Sequence, residues 1–113
     1  PSDHESVLLL VDGLIAAERY ADAGGILEKA IEAHPKRRSP ELAELQSRMA
    51  TLAQKAGDAN LEMQWLNAAM ESDKGNGEIV ARLANLAMDL KEYDVAENAL
   101  RVISTCGLQL PIF

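Results

Sequence analysis

The side chains best equipped for chemistry in this chain are few and badly spaced for it. His4 and His34 are the two histidines, and neither belongs to a His-x-x-x-His or Cys-x-x-Cys pair that would put two metal ligands on one helix face or one turn. His34 closes a helical stretch, where a partly charged imidazole suits the negative end of the helix dipole. Cys106 is the single cysteine. It has no disulfide partner and no neighbouring histidine to take its proton, so it reads as a small semi-buried filler rather than a nucleophile. Gly24-Gly25 and Gly75-x-Gly77 lack the preceding strand and the following Lys-Ser or Lys-Thr of a phosphate loop, and read as packing and turn. No catalytic trio, no metal site and no cofactor site emerges, and the expectation is a protein that is not an enzyme.

Composition restricts partners in the same direction. Eighteen acidic and eleven basic residues leave a net charge of −7, which repels a phosphate backbone or an anionic membrane surface. Nucleic acid is therefore not an expected partner. Lys36-Arg37-Arg38 is the one basic run and reads as a solvated loop. The longest apolar run, Val7 to Val11, is far short of the roughly 20 residues that span a bilayer, so a soluble protein without direct membrane insertion is expected. The compartment stays open between cytoplasm and periplasm. The chain opens on Pro1 rather than Met, which reads as a domain excised from a longer protein.

Any binding side chains must then be positioned by helices. The 113 residues suit a single domain, and 18 are Ala and 16 Leu, against 13 for Val, Ile and Thr together. Ser2 with Glu5 fits a capping box, and Ser39-Pro40-Glu41 places a capping hydroxyl, a first-turn proline and a first-turn acid in sequence. Val7, Leu10, Val11 and Leu14 follow helical spacing, as do Leu42, Leu45, Met49 and Leu52, and Val80, Leu83, Ala84 and Ala87. Tyr20 to His34, Ala59 to Ser72 and Tyr93 to Thr105 show the same period, which makes six helices joined by tight turns.

The segments also repeat. Arg19-Tyr20-Ala21-Asp22-Ala23 returns as Glu92-Tyr93-Asp94-Val95-Ala96, and Leu66, Ala69 and Met70 lie between Leu27, Ala30 and Ile31 before them and Leu100, Ile103 and Ser104 after them. The steps are 39 and then 34 residues, with the extra five falling in the Lys36 to Pro40 loop, where an insertion costs little. A two-helix unit with a step of 34 resembles the tetratricopeptide repeat family. The resemblance covers almost the whole chain as three units, approximately 4–37, 43–76 and 77–110. The first is the clearest, with Leu10, Leu14, Tyr20, Ala23, Leu27, Ala30 and Pro35 at the pattern positions. The third keeps Leu83, Ala84, Ala87, Tyr93, Ala96 and Leu100. The second departs most, with Gln46 at the usual Trp position, Ala59 for the aromatic and Glu62 where a small residue packs, which implies a rotated or shifted helix pair. Close backbone approach accounts for Gly24-Gly25 inside a helix, and Trp65 is expected to pack against a neighbouring unit.

The resemblance implies an all-α fold of three antiparallel hairpins stacked as a right-handed superhelix, and a non-catalytic module that holds a segment of a partner protein in a concave groove. The family's groove positions fall on Leu8, Asp12 and Ile15, on Arg48 and Thr51, and on Arg82 and Asn85, with Leu9 adding an apolar stretch. The carboxylate clamp known in the family is not implied: of its five positions, held here by Leu8, Asp12, Arg48, Glu78 and Arg82, only Arg82 matches. Arg48 and Arg82 are expected either to grip an acidic side chain of the partner or to pair with Glu44 and Glu78 one turn before them. The alternatives to a groove module are a structural array segment, an accessory domain of a larger enzyme, or a homo-oligomer formed through a C-terminal apolar face with Val95, Val102 and Ile112 as candidates.

Overall fold

The computed structural model describes residues 3–35 and 38–106, and all regular structure among them is helical. The helices are α1 (His4–Ala16), α2 (Tyr20–Ala33), α3 (Pro40–Lys55), α4 (Ala59–Ser72), α5 (Gly77–Asp89) and α6 (Tyr93–Cys106). Consecutive pairs form hairpins, α1 with α2, α3 with α4 and α5 with α6, and the hairpins meet through α2 on α3 and α4 on α5.

Side-chain caps fix the starts of three helices. The Ser39 hydroxyl accepts from the Leu42 amide at 3.1 Å with Pro40 in the first turn, while Asp58 and Asn76 accept from Leu61 and Ile79 at 3.0 and 3.2 Å. At α1 the expected capping box rests on Ser2, which lies outside the described residues. The cap residue is Asp3, whose side chain accepts no backbone amide but takes a hydrogen bond from Ser6 Oγ at 3.5 Å. Lys36, Arg37 and the tail from Gly107 on, including Ile112, lie outside them too; the side chain of Cys106 is likewise not described.

The three hairpin turns are closed in one way. Glu18, Gly57 and Lys91 have positive φ of 60°, 77° and 60° and stand 39 and 34 residues apart, the spacing of the repeat. At each turn the following amide reaches back five residues, Arg19 to Leu14, Asp58 to Ala53 and Glu92 to Ala87, at 2.8, 2.9 and 2.8 Å. The left-handed residue itself donates to the carbonyl three residues back, at 3.0, 3.0 and 3.1 Å. These are Schellman closures, which satisfy carbonyls that a helix end leaves unpaired. The middle hairpin, whose sequence departs most from the pattern, thus turns as its neighbours do.

Helix α3 is the shared wall. Ala43 and Ala50 face a cluster with Leu66, Met70, Val80 and Leu83, while Leu45, Met49 and Leu52 join a second cluster with Leu8, Val11, Ala23 and Leu27. The alanines on α3 leave little between it and α4, and these two helices make the most extensive helix–helix contact in the protein. Trp65 packs partly buried against the first of these clusters. The close approach expected at Gly24-Gly25 is not found: a Cβ on Gly24 would meet Leu52 at an ordinary 3.6 Å, and one on Gly25 would meet nothing within 4 Å.

Left-handed backbone costs a residue with a Cβ about 1 kcal/mol or more relative to Gly. Glu18→Gly and Lys91→Gly are each expected to stabilise the chain by about 1 kcal/mol, and Gly57→Ala to destabilise it by about as much. Gly25→Ala, in open space within a helix, should add up to about 1 kcal/mol. Midpoints of urea unfolding at fixed m-value check all four, and a loss of stability in either glycine variant would contradict the turn geometry.

Candidate functional site

The first helices of the three hairpins, α1, α3 and α5, border one open groove of about 600 Å³. Asp12 and Ile15 line it from α1, Glu44, Ser47, Arg48 and Thr51 from α3, and Glu78, Ile79 and Arg82 from α5, with Asp73 and Asn76 at the α4–α5 turn. Five of the residues expected at a groove, Asp12, Ile15, Arg48, Thr51 and Arg82, are thereby brought together. Leu8 is not with them: it is 8% exposed and packs into the core beside Val11 and Leu27. Asn85 and Leu9 are exposed but lie outside the groove lining.

Both arginines are engaged within the chain, and not with the glutamates one turn before them. Arg48 reaches across the seam to Asp12 of the preceding hairpin in a two-pronged pair, Nε to Oδ1 at 3.1 Å and Nη2 to Oδ2 at 3.2 Å. Arg82 reaches back to Thr51 Oγ1 at 3.3 Å and to Glu62 Oε2 at 3.2 Å. Asp12 and Thr51 are 39 residues apart and the arginines 34, so one contact recurs at successive seams with a carboxylate in the first and a hydroxyl in the second. The i, i+4 partners Glu44 and Glu78 are not used. Glu44 instead faces His4 Nε2 at 3.4 Å, and Glu78 is exposed on the groove with no ion pair among the described residues.

Glu62 explains why the second seam differs. It stands where Ala23 and Ala96 stand in the other hairpins, and it is 6% exposed. A carboxylate in that setting must be paired, because the cost of leaving its hydration is not otherwise recovered. The Arg82 guanidinium, about a third exposed, supplies the pairing and also holds Thr51, so α3, α4 and α5 are tied at one point. No buried side-chain nitrogen or oxygen among the described residues is left without a partner. Gln46, at the position where a Trp was expected from the resemblance, accepts a hydrogen bond from Ser72 at 2.7 Å and joins α3 to the end of α4. Sequence reasoning marked Glu62 as a misfit but not as a partner. The signal available was that a misplaced acid inside a helix hairpin needs a cation from a neighbouring element.

The chain matches no protein-family model and no curated protein. Among the described residues, no three His, Cys, Asp or Glu side chains converge as metal ligands would, and no helix is long and apolar enough to cross a membrane.

The two halves of the Glu62–Arg82 pair should not be equally costly to remove. Arg82→Ala leaves a buried carboxylate without its cation and is expected to cost about 3 kcal/mol. Glu62→Ala restores the small residue of the other hairpins and frees a guanidinium that can turn to solvent, so about 1 kcal/mol is expected. The double variant should resemble Glu62→Ala alone. Urea unfolding of the three variants measures this asymmetry, and equal single losses would show that the pair is not what governs Glu62.

Proposed function

We propose that this protein is a tetratricopeptide-like binding module, three hairpins stacked as a right-handed superhelix, whose groove holds an extended segment of a partner protein. The observation that carries the reading is the groove itself: equivalent faces of α1, α3 and α5 border one channel, as the repeat register requires of a surface built to take a linear ligand. The common turn at Glu18, Gly57 and Lys91 supports three equivalent units. In this reading the module does no chemistry of its own and takes no cofactor.

The groove's charges decide what kind of segment suits it. With Arg48 committed to Asp12 and Arg82 to Glu62, the acidic partner residue expected from the sequence would find no guanidinium to spare. Asp73 and Glu78 face the groove without an ion pair among the described residues, so a segment with a Lys or Arg side chain and small apolar contacts at Ile15 is the better complement.

Selection of random short peptides displayed on phage against the immobilised chain tests the reading. Ser47→Tyr, which fills the middle of the groove without entering the core, is expected to abolish binding of the selected peptides and to leave the thermal midpoint within a degree or two, as for most surface substitutions. Peptides that bind Ser47→Tyr as well as the parent chain would refute the groove as the site.

A further inference from the structure

The repeat register makes the two ends of the stack comparable with its interior, position by position. Leu27 and Leu66 occupy the same place on α2 and α4 and are fully buried, each in a cluster completed by the first helix of the next hairpin. Leu100 is the same residue on α6, and it is 49% exposed. On the facing side of each seam, Met49 on α3 and Leu83 on α5 are equivalent and pack into those clusters. Leu10 is their counterpart on α1, and it is 53% exposed. Its neighbour Leu9, at the place of Arg48 and Arg82, is more exposed still. Each end therefore carries one half of a seam that the interior shows twice in closed form.

From this equivalence we infer that the chain associates with a second copy of itself head to tail, the α6 side of one copy docking on the α1 side of the next as α2 docks on α3 and α4 on α5. The apolar contact is Leu100 against Leu10, completed by Tyr93 and Leu9, both exposed in the single chain. This corrects the expectation that Val95 and Val102 form a C-terminal apolar face: Val102 is buried in the core and Val95 packs against it. The end seam is weaker than the interior ones. Ser6 replaces Leu45 and Ile79, Ser104 replaces Ile31 and Met70, and Leu9 and Asn85 make no ion pair where Arg48 meets Asp12. Association is thus reversible and concentration-dependent. Because the partners are two copies of a chain at −7 and the contact is apolar, added salt strengthens it, opposite to an interface held by ion pairs. The two surfaces differ, so the contact is heterologous and propagates beyond a dimer.

Sedimentation equilibrium of the whole chain, at rising concentration and in low and high salt, measures the association. Species larger than a monomer, increasing with salt, are expected; a monomer at every concentration overturns the inference. Leu10→Glu and Leu100→Glu each spoil one end at an exposed position, and circular dichroism confirms that both variants stay folded. Each alone should be monomeric. Mixed, they retain one intact head and one intact tail between them, and a dimer that grows no further should form. A mixture that stays monomeric, or either variant dimerising alone, would mean that the contact is not head to tail. Insensitivity to both substitutions would place any association elsewhere, for instance through the tail beyond Cys106. None of these outcomes depends on peptide binding in the groove.

Discussion

Helix α3 carries apolar side chains on two sides, and such a helix is stable only when both are covered. Ala43 and Ala50 require α4 and α5 on one side, while Leu45, Met49 and Leu52 require α1 and α2 on the other. The first and third hairpins therefore fold against the two sides of the middle hairpin, α2 on α3 and α5 on α4, rather than against each other. That arrangement leaves the groove open, because α1 and α5 stand on either side of α3 instead of closing over it. It also explains the dimensions of 38 × 28 × 25 Å, longer in one direction than in the other two.

Much of the fold was legible in the sequence, for different reasons at different places. The start of α3 was visible because Ser39 is a capping residue beside Pro40, whereas the caps Asp58 and Asn76 of α4 and α5 emerge only in the structure. The turns at Glu18 and Lys91 carry no glycine or proline, so no residue there signals them, and their equivalence with Gly57 emerges only in the structure. The single apolar stripe read on α3 became two because alanine gives little periodic contrast, although it buries completely when a neighbouring helix is close. At Gly24-Gly25 no close backbone approach exists to account for the pair, since nothing crowds Gly25.

The groove was legible as a location but not as chemistry. Helical spacing and the resemblance placed Asp12, Arg48, Thr51 and Arg82 on one surface, and they are there. What each side chain touches depends on the rotation of one hairpin against the next, which no local pattern encodes. A local rule of i, i+4 pairing favoured Glu44 and Glu78 as partners. Tertiary placement gave Arg48 a bidentate carboxylate and Arg82 a buried one, both stronger than a solvated pair along one helix.

Those seam contacts also label the units. Each arginine reaches back to the hairpin before it, and what it meets differs: an exposed aspartate at the first seam, a threonine and a buried glutamate at the second. Exchanging the order of the hairpins would present the buried Glu62 to a surface without Arg82 and leave Arg48 without Asp12. Apolar stacking alone tolerates any order, since every hairpin offers leucine and alanine to its neighbours. The charges are what make the sequence of units in this stack non-interchangeable, as a key pattern does for otherwise identical parts.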